Sequence, residues 1–226
     1  MEENLQKYFK MNESLLKNID VVVVANGSFP VSEIPLTLLK SNLPLVCCDG
    51  AVENLEKHGF VPAAVVGDGD SVPQNLRQKY SRVFHFDGNQ ENNDLTKAVN
   101  YCVARGYKNI AIVGATGLRE DHTLANISLL VDYSKMANCC MLTDYGVFTA
   151  ISKTAEFQSF PQQQVSVFCM HDSIPLTFEG LQYPVENRCF RSLWEGSLNS
   201  ATGNSFKIFT EGDVVVFQTY EPKGKV

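Results

Sequence analysis

The sequence predicts an α/β domain followed by an all-β domain. We expect a doubly wound, mostly parallel sheet over residues 1–138 and a β-sandwich over residues 139–226. In the first stretch, short apolar runs alternate with helical patterns, which is typical of parallel strands joined by right-handed crossovers. Beyond Asn138 the helical periods end, and short β-like runs separated by turn residues follow. The chain has 226 residues, of which 44% are hydrophobic, and this is enough for two hydrophobic cores.

Five apolar runs predict the strands of the first domain, because each is short and is closed by turn residues. The clearest is the β-branched run Val21–Val24, which leads to Asn26-Gly27 and is typical of a fully buried parallel strand. The predicted strands span residues 20–27, 43–48, 63–66, 82–86 and 109–113.

Helical spacing of apolar residues predicts the segments that lie between these strands. Gly59 and Gly106 end two of the helices. Ser71 is expected to cap a helix that begins at Pro73, since proline at the first helical position costs no hydrogen bond. A looser pattern predicts an amphipathic helix ahead of the first strand. The predicted helices span residues 2–18, 36–39, 51–58, 73 onward, 94–105 and 121–136.

In the second domain, four short β-like runs with Gly and Pro between them are the clearest strand signals. They span residues 147–151, 165–170, 206–209 and 214–220. Short strands of this kind, spaced by turns, indicate a small β-sandwich.

The charge and hydropathy of the chain argue against several classes of partner. The formal net charge is −6 and no run of Lys or Arg occurs, so we expect no nucleic acid and no anionic membrane surface as a partner. No apolar stretch approaches the roughly 20 residues of a membrane helix, and residues 1–17 are charged throughout. We therefore expect a cytoplasmic protein without a membrane span or a secretory signal.

The seven cysteines fit a reducing compartment. Their number is odd, Cys47-Cys48 and Cys139-Cys140 are adjacent, and no C-x-x-C spacing indicates a zinc site. We expect them to be small, buried hydrophobic side chains.

Acidic residues follow the ends of successive predicted strands in the first domain. Because the carboxyl ends of parallel strands meet at one edge of a sheet, we expect these side chains to gather where ligands bind. The acids would repel one another without a cation, so the pattern favours Mg²⁺ binding over solvated Asp-Gly turns. The segments are Asp49-Gly50, Asp68-Gly69-Asp70-Ser71, Glu91-Asn92-Asn93-Asp94 and Gly117-Leu118-Arg119-Glu120-Asp121-His122.

These segments resemble the thiamin pyrophosphokinase family, whose patterns are D-G-G-A-N, G-D-F-D-S, D-x-T-D and G-x-x-G-G-R-x-D-H-x-L-A-N. The most specific resemblance is in segment 114–126, which reads Gly-Ala-Thr-Gly-Leu-Arg-Glu-Asp-His-Thr-Leu-Ala-Asn. In the second half, segment 180–187 is similar to G-L-K-Y-P-L-E-N, and segment 196–200 stands where G-T-S-N-E is expected.

The resemblance implies a transferase of thiamin diphosphate biosynthesis. Such an enzyme moves a pyrophosphoryl group from ATP to the hydroxyl of thiamin, giving thiamin diphosphate and AMP, and it uses Mg²⁺. The resemblance further implies an α/β domain that binds ATP and a β-sandwich that binds thiamin. It also implies a homodimer whose thiamin sites lie between the subunits.

The acids and the resemblance together indicate the site residues. Arg119 suits a fork-like contact with phosphate, Lys97 could reach the same charge, and Asp121 would orient the thiamin hydroxyl or bind metal. The expected catalytic residues are Asp70, Asp94, Arg119 and Asp121. The expected metal ligands, direct or through water, are Asp49, Asp68, Asp70 and Asp94. The residues expected to bind ATP or thiamin are Asp49, Gly50, Asp68, Ser71, Lys97, Gly117, His122, Thr123, Asn126, Trp194, Ser197 and Asn199.

Several of these residues have structural alternatives. Lys97 would also suit a solvated helix face, and His122 a buried position bonded to a backbone carbonyl. Thr123 and Asn126 could cap or pack, and Trp194 could belong to the core. For the function, the same acids would serve a Mg²⁺-dependent pyrophosphohydrolase, and a non-catalytic nucleotide-binding module is a third alternative.

Overall fold

The computed structural model describes residues 18–222, so the helix predicted over residues 2–18 lies outside the described part except for Asn18. The described residues form two compact units. The first comprises residues 19–129 and 135–144, and the second comprises Asn18 and residues 130–134 and 145–222.

The first unit contains six parallel strands, which confirms the predicted α/β fold. The strands are β1 (Val21–Val24), β2 (Leu45–Cys48), β3 (Ala64–Gly67), β4 (Phe84–Phe86), β5 (Asn109–Val113) and β6 (Asn138–Leu142). The helices between them are α1 (Glu33–Leu39), α2 (Ala51–Lys57), α3 (Gln74–Lys79), α4 (Asp94–Ala104) and α5 (Glu120–Ser134). None of the helices between residues 18 and 222 has the length and apolar character needed to cross a membrane.

The strands lie in the order β6-β5-β1-β2-β3-β4, and every pair is parallel. From β1 the chain moves through β2 and β3 to β4, then returns to the other side of β1 with β5 and β6. In α/β sheets, ligands bind at such a switch point, outside the carboxyl ends of the strands. All four residues of β1 are buried, as expected for a central strand covered on both faces.

Strand β6 is a feature that the sequence analysis missed. Residues 139–144 were expected in the second domain, but they belong to the first unit, and β6 pairs in parallel with β5. Residues 139–142 are buried, like the residues of β1, β2 and β3. The strand was not predicted because no helical pattern follows it. The alternation of strand and helix therefore ends at Asn138, where the second domain was expected to begin.

The prediction that Ser71 caps the next helix is wrong. Helix α3 begins at Gln74 with Pro73 as its N-cap residue. The Ser71 hydroxyl instead donates to Asp70 Oδ1 at 3.0 Å, so Ser71 belongs to the acidic loop that follows β3.

The second unit consists of two antiparallel sheets, which confirms the predicted β-sandwich. Its strands are β7 (Gly146–Ile151), β8 (Ala155–Gln158), β9 (Gln163–Cys169), β10 (Pro175–Glu179), β11 (Val185–Cys189), β12 (Asn199–Ser200), β13 (Ser205–Phe209) and β14 (Val214–Pro222). The strand orders are β12-β9-β14-β7 and β11-β10-β13-β8. Val167 and Val216 from one sheet and Leu176 and Ile208 from the other belong to one buried core.

The cysteine side chains are buried with one exception. Cys189, on β11, is exposed, so the expectation of burial is wrong for this residue. Burial raises the pKa of Cys102 to about 12, so this thiol stays protonated and acts as a small apolar group.

The loops after β1 and β5 are joined through their backbones. The Gly27 N–H donates to Gly114 O at 2.7 Å, and the Ser28 N–H donates to Thr116 O at 2.8 Å. A Cβ at Gly27 would lie 2.5 Å from both Gly114 O and Thr116 O. The close approach of the two loops therefore requires glycine at this position.

Replacing Gly27 by alanine should destabilise the protein, because the two backbone oxygens cannot move aside without breaking the contact between the loops. We expect Gly27→Ala to lower the free energy of unfolding by about 1–3 kcal/mol in urea denaturation. Gly203→Ala is the matched control, since nothing lies within 4 Å of a Cβ there, and it should change the value by less than about 0.5 kcal/mol. Equal losses in the two variants would contradict the role given to Gly27.

Candidate active site

A cavity of about 570 Å³ lies at the carboxyl ends of the strands of the first unit. Its walls come from the loops that follow β1, β3, β4 and β5 and from the first turns of α4 and α5. Side chains that are distant in sequence therefore meet at one edge of the sheet. The polar and charged lining residues are Asn26, Asp68, Asp70, Ser71, Gln90, Asn92, Asn93, Asp94, Lys97, Arg119, His122 and Asn126.

Asp49, directly after β2, is fully buried and orders the loop that carries the next two acids. Its Oδ1 accepts a hydrogen bond from the Gly69 N–H and its Oδ2 accepts one from the Ser71 N–H, each at 3.0 Å. Burial raises the pKa of Asp49, and neighbouring acids act in the same direction, while the two backbone hydrogen bonds oppose the rise. Asp49 thus connects the end of β2 to the loop after β3.

Asp49, Asp68 and Asp70 form a cluster of three carboxylates, in which one oxygen from each lies within 4.8 Å of the others. The Asp70 N–H donates to Asp68 Oδ1 at 3.3 Å, and Gln90 Nε2 donates to Asp68 Oδ2 at 3.2 Å. These hydrogen bonds, together with Lys97, lower the pKa of Asp68. Asp68 is therefore ionised at neutral pH.

The carboxylate oxygens of this cluster are suitable ligands for a divalent cation. Mg²⁺ prefers oxygen ligands, and several carboxylates held this close repel one another until a positive charge is present. Asp68 and Asp70 line the cavity, whereas both oxygens of Asp49 already accept backbone hydrogen bonds. Asp68 and Asp70 are thus better placed than Asp49 to coordinate a cation, and Asp49 supports their loop.

Lys97 is a buried cation beside this cluster, with 3% of its side chain exposed. Its Nζ donates to Asp94 Oδ1 at 3.1 Å and to Asp68 Oδ2 at 3.4 Å. Burial favours the neutral amine, but the hydrogen bonds and charges of the two acids outweigh it and raise the pKa of Lys97. Lys97 is a charged member of the site, and the alternative of a solvated helix lysine is wrong.

Asp94 is the first residue of α4 and follows the N-cap residue Asn93, whose Oδ1 accepts from the Thr96 N–H at 2.8 Å. This cap fixes the start of the helix, and Lys97 then lies one turn beyond Asp94 on the same face. Asp94 is not one of the three clustered carboxylates, and it reaches them through Lys97. Direct coordination of a metal by Asp94 stays a prediction.

Arg119 and Asp121 form a two-point ion pair where α5 begins. Arg119 Nε donates to Asp121 Oδ1 at 3.1 Å, and Nη2 donates to Oδ2 at 2.5 Å. The hydrogen bond from Arg119 lowers the pKa of Asp121 to about 2. Both side chains are exposed, so solvent screens the attraction between their charges. The planar guanidinium group of Arg119 can donate two parallel hydrogen bonds to a phosphate as well as to a carboxylate.

Three further predicted residues, Gly117, His122 and Asn126, line the same cavity. His122 is exposed, so the alternative of a buried histidine is wrong. Asn126 Nδ2 donates to Ala115 O at 2.8 Å, which joins α5 to the loop after β5. Asn126 thus combines a structural contact with a position on the cavity wall.

Thr123 and Gly50 have contacts that are structural. Thr123 Oγ1 donates to Arg119 O at 3.1 Å, within the first turn of α5. Gly50 lies close to Asn26, because a Cβ at Gly50 would be 2.7 Å from Asn26 Nδ2. A contact of either residue with a substrate stays a prediction.

The cavity also contains polar residues that the sequence analysis did not assign, namely Asn26, Gln90, Asn92 and Asn93. They were missed because Asn26-Gly27 indicates a turn and residues 87–93 indicate a polar loop. Their positions after β1 and β4, at the same edge as the acids, are the signal that would have found them.

The three predicted thiamin-contact residues of the second unit lie in or after the 3₁₀ helix Leu193–Gly196. Trp194 is 73% exposed, so the alternative of a core tryptophan is wrong. Ser197 Oγ donates to Trp194 O at 2.7 Å. Asn199 is buried, and its Oδ1 accepts from the Tyr183 N–H at 3.0 Å while its Nδ2 donates to Tyr183 O at 2.8 Å. Asn199 therefore fixes a loop, and Trp194 presents an exposed aromatic surface.

Two family models match the chain. Residues 36–142 match the model described as thiamin pyrophosphokinase, catalytic domain, and residues 146–217 match thiamin pyrophosphokinase, substrate-binding domain. The first match contains the whole acidic cluster, and the second contains most of the two antiparallel sheets.

Curated relatives carry the same family name. The chain is 33% identical over 97 residues to thiamin pyrophosphokinase 1 of Caenorhabditis elegans, covering 39% of this chain and 40% of the relative. It is 27% identical over 145 residues to thiamine pyrophosphokinase of Bacillus subtilis, covering 57% of this chain and 64% of the relative. The aligned parts thus span less than two thirds of the length of these relatives.

Solved structures match over nearly the full chain. The crystal structure of yeast thiamin pyrophosphokinase has a TM-score of 0.75 at 17% identity and covers 92% of this chain and 89% of the yeast chain. The crystal structure of the Bacillus subtilis enzyme has a TM-score of 0.74 at 19% identity, with 88% and 98% covered. At these identities the likeness concerns the fold. Together with the two family models, which extend from residue 36 to residue 217, it shows that the chain belongs to the thiamin pyrophosphokinase family.

Proposed function

We propose that the chain transfers a pyrophosphoryl group from ATP to the hydroxyl of thiamin, giving thiamin diphosphate and AMP. The observation that carries the proposal is the cluster of Asp49, Asp68 and Asp70 beside the buried Lys97, at the ligand-binding edge of the catalytic domain. Transfer of this kind needs positioning and charge neutralisation more than covalent chemistry. The fixed acids and the buried Lys97 supply both.

The acids are proposed to hold Mg²⁺, with Asp68 and Asp70 as ligands and with Asp49 and Asp94 contributing directly or through water. When bound, the ion would neutralise negative charge on the phosphate oxygens. The chain's own part is to fix the carboxylates: Asp49 holds the loop through Gly69 and Ser71, so Asp68 and Asp70 need no rearrangement.

The two cations of the cavity are proposed to bind the triphosphate. Lys97 is held in place by Asp68 and Asp94, so its ammonium group is a fixed positive charge at the cavity wall. Arg119 would exchange its carboxylate partner for phosphate, because its pair with Asp121 is open to solvent and to the substrate. This exchange would release Asp121 to orient the thiamin hydroxyl. One of the site's acids would accept the hydroxyl proton.

The second unit is proposed to bind thiamin, in keeping with the substrate-binding domain that its sequence matches. The exposed Trp194 indole offers a face for the cationic thiazolium, since cations are attracted to aromatic faces. Ser197 and Asn199 complete the proposed contact region. The family resemblance supports a homodimer with thiamin sites between subunits, and the buried cysteines suit a cytoplasmic location.

AMP release that depends on thiamin is the direct test of this function. Asp70→Asn keeps the shape of the side chain but removes its charge, so we expect thiamin-dependent AMP release to fall on the order of a hundredfold or more. The melting temperature should stay close to that of the unchanged chain, because Asp70 is exposed. Asp172→Asn, at an exposed turn of the second unit, should leave the rate unchanged.

AMP release without thiamin would instead indicate a pyrophosphohydrolase. Tight ATP binding without AMP release would indicate a nucleotide-binding module. Full activity of the Asp70→Asn variant would refute the role given to the acidic cluster.

Lys97 should matter for catalysis although it is a helix lysine. Lys97→Met keeps most of the side-chain volume but leaves Asp68 and Asp94 without their cation, so we expect kcat/KM to fall by about tenfold to a hundredfold. The matched control is Lys57→Met, a lysine on α2 whose side chain is 62% exposed and paired with Glu53. Steady-state kinetics should show less than about a twofold effect for the control, and similar losses in both variants would count against the role of Lys97.

A further inference from the structure

Leu118 adopts a backbone conformation that is unfavourable for leucine. Its φ is +61°, in the left-handed region where a Cβ crowds the neighbouring carbonyl oxygen. The preceding Gly117 has φ +78° and is the residue type that adopts this region without that clash. Packing does not offset the cost at Leu118, because Leu118 is 72% exposed.

Leu118 lies on the wall of the candidate active site, between Gly117 and Arg119. Strained residues cluster at ligand sites, where the strain positions a side chain for a bound molecule. An exposed leucine on a cavity wall also leaves apolar surface in water until a ligand covers it. These observations point to a contact between Leu118 and a substrate.

The distribution of charge in the cavity indicates which part of the substrate lies there. The acids Asp68 and Asp70 follow β3, and Lys97 lies on α4. The loops after β1 and β5 contribute small uncharged residues to the wall, among them Gly27 and Ala115. The phosphates of ATP belong with the acids, Lys97 and Arg119, which leaves the uncharged stretch of wall at residues 25–27, 115, 117 and 118 for an uncharged part of the substrate.

A neutral ring suits the surroundings of Leu118 better than a cationic one. The guanidinium group of Arg119, the next residue, repels the positive thiazolium of thiamin but not a neutral purine. Ligand pockets hold such rings against apolar side chains. We propose that Leu118 packs against the adenine ring of ATP and so contributes to nucleotide affinity and specificity; this inference rests on the proposed function.

Leu118→Gly tests the contact, because it removes the side chain and relieves the backbone at the same time. We expect a variant at least as heat-stable as the unchanged chain, with the KM for ATP raised on the order of fivefold to tenfold. The KM for thiamin should change by less than about twofold. The inhibition constant of inorganic tripolyphosphate, which has the phosphates but no base, should be unchanged as well.

Gln162→Gly is the matched control, since Gln162 is exposed and has φ +69° but lies in the second unit. It should gain stability in the same way with no change in any KM. Leu118→Ala keeps the backbone strain but shortens the side chain, so it should also raise the KM for ATP, and it decides the matter if Leu118→Gly does not fold. An unchanged KM for ATP, or a rise in the KM for thiamin alone, overturns the inference.

The contact between Leu118 and adenine can be tested even if the proposed function is wrong. If the unchanged chain releases no AMP in the presence of thiamin, the proposed function fails, and ATP binding is then measured by calorimetry on the same variants. Binding of ATP that is weaker by the same factor in Leu118→Gly still supports the contact with adenine. Equal ATP binding by the variant and the unchanged chain overturns it.

Discussion

Asp49 has no surface in contact with solvent, yet both oxygens of its carboxylate accept backbone hydrogen bonds from the loop after β3. Burying a carboxylate is costly, and the donors at Gly69 and Ser71 offset part of that cost only when the loop has this one shape. Because Asp68 and Asp70 lie on the same loop, their positions follow from Asp49. The site thus depends on a buried carboxylate that positions two accessible ones.

The two cations of the site, Lys97 and Arg119, are each paired with acids, and the two sets of ion pairs differ in burial. Lys97 is buried and held by two acids, so water does not weaken its charge and its position is fixed. The pair of Arg119 and Asp121 is exposed, so solvent screens it, and in the proposed function a phosphate displaces the carboxylate. A fixed cation and an exchangeable one together suit the proposed transfer, in which ATP is bound and AMP is released.

Much of the fold could be predicted from the sequence, because buried parallel strands are continuous apolar runs and the acids follow their carboxyl ends. Contacts between residues that are distant in the sequence could not be predicted in this way. Lys97 is separated from Asp68 by 29 positions, so its burial depends on how α4 lies against the loop after β3. Asn199 illustrates the same limit, since its partner Tyr183 is 16 positions away in the sequence and belongs to a loop between two strands.

The central claim is that Asp49, after β2, positions Asp68 and Asp70, after β3, to bind a divalent cation, and anomalous diffraction from crystals soaked with Mn²⁺ tests it most directly. Data at the manganese absorption edge should show a peak at about 2.0–2.3 Å from carboxylate oxygens of Asp68 and Asp70. Asp49 should still accept the hydrogen bonds from Gly69 and Ser71. Crystals with no peak at these carboxylates, or with manganese bound only elsewhere on the chain, would contradict the account.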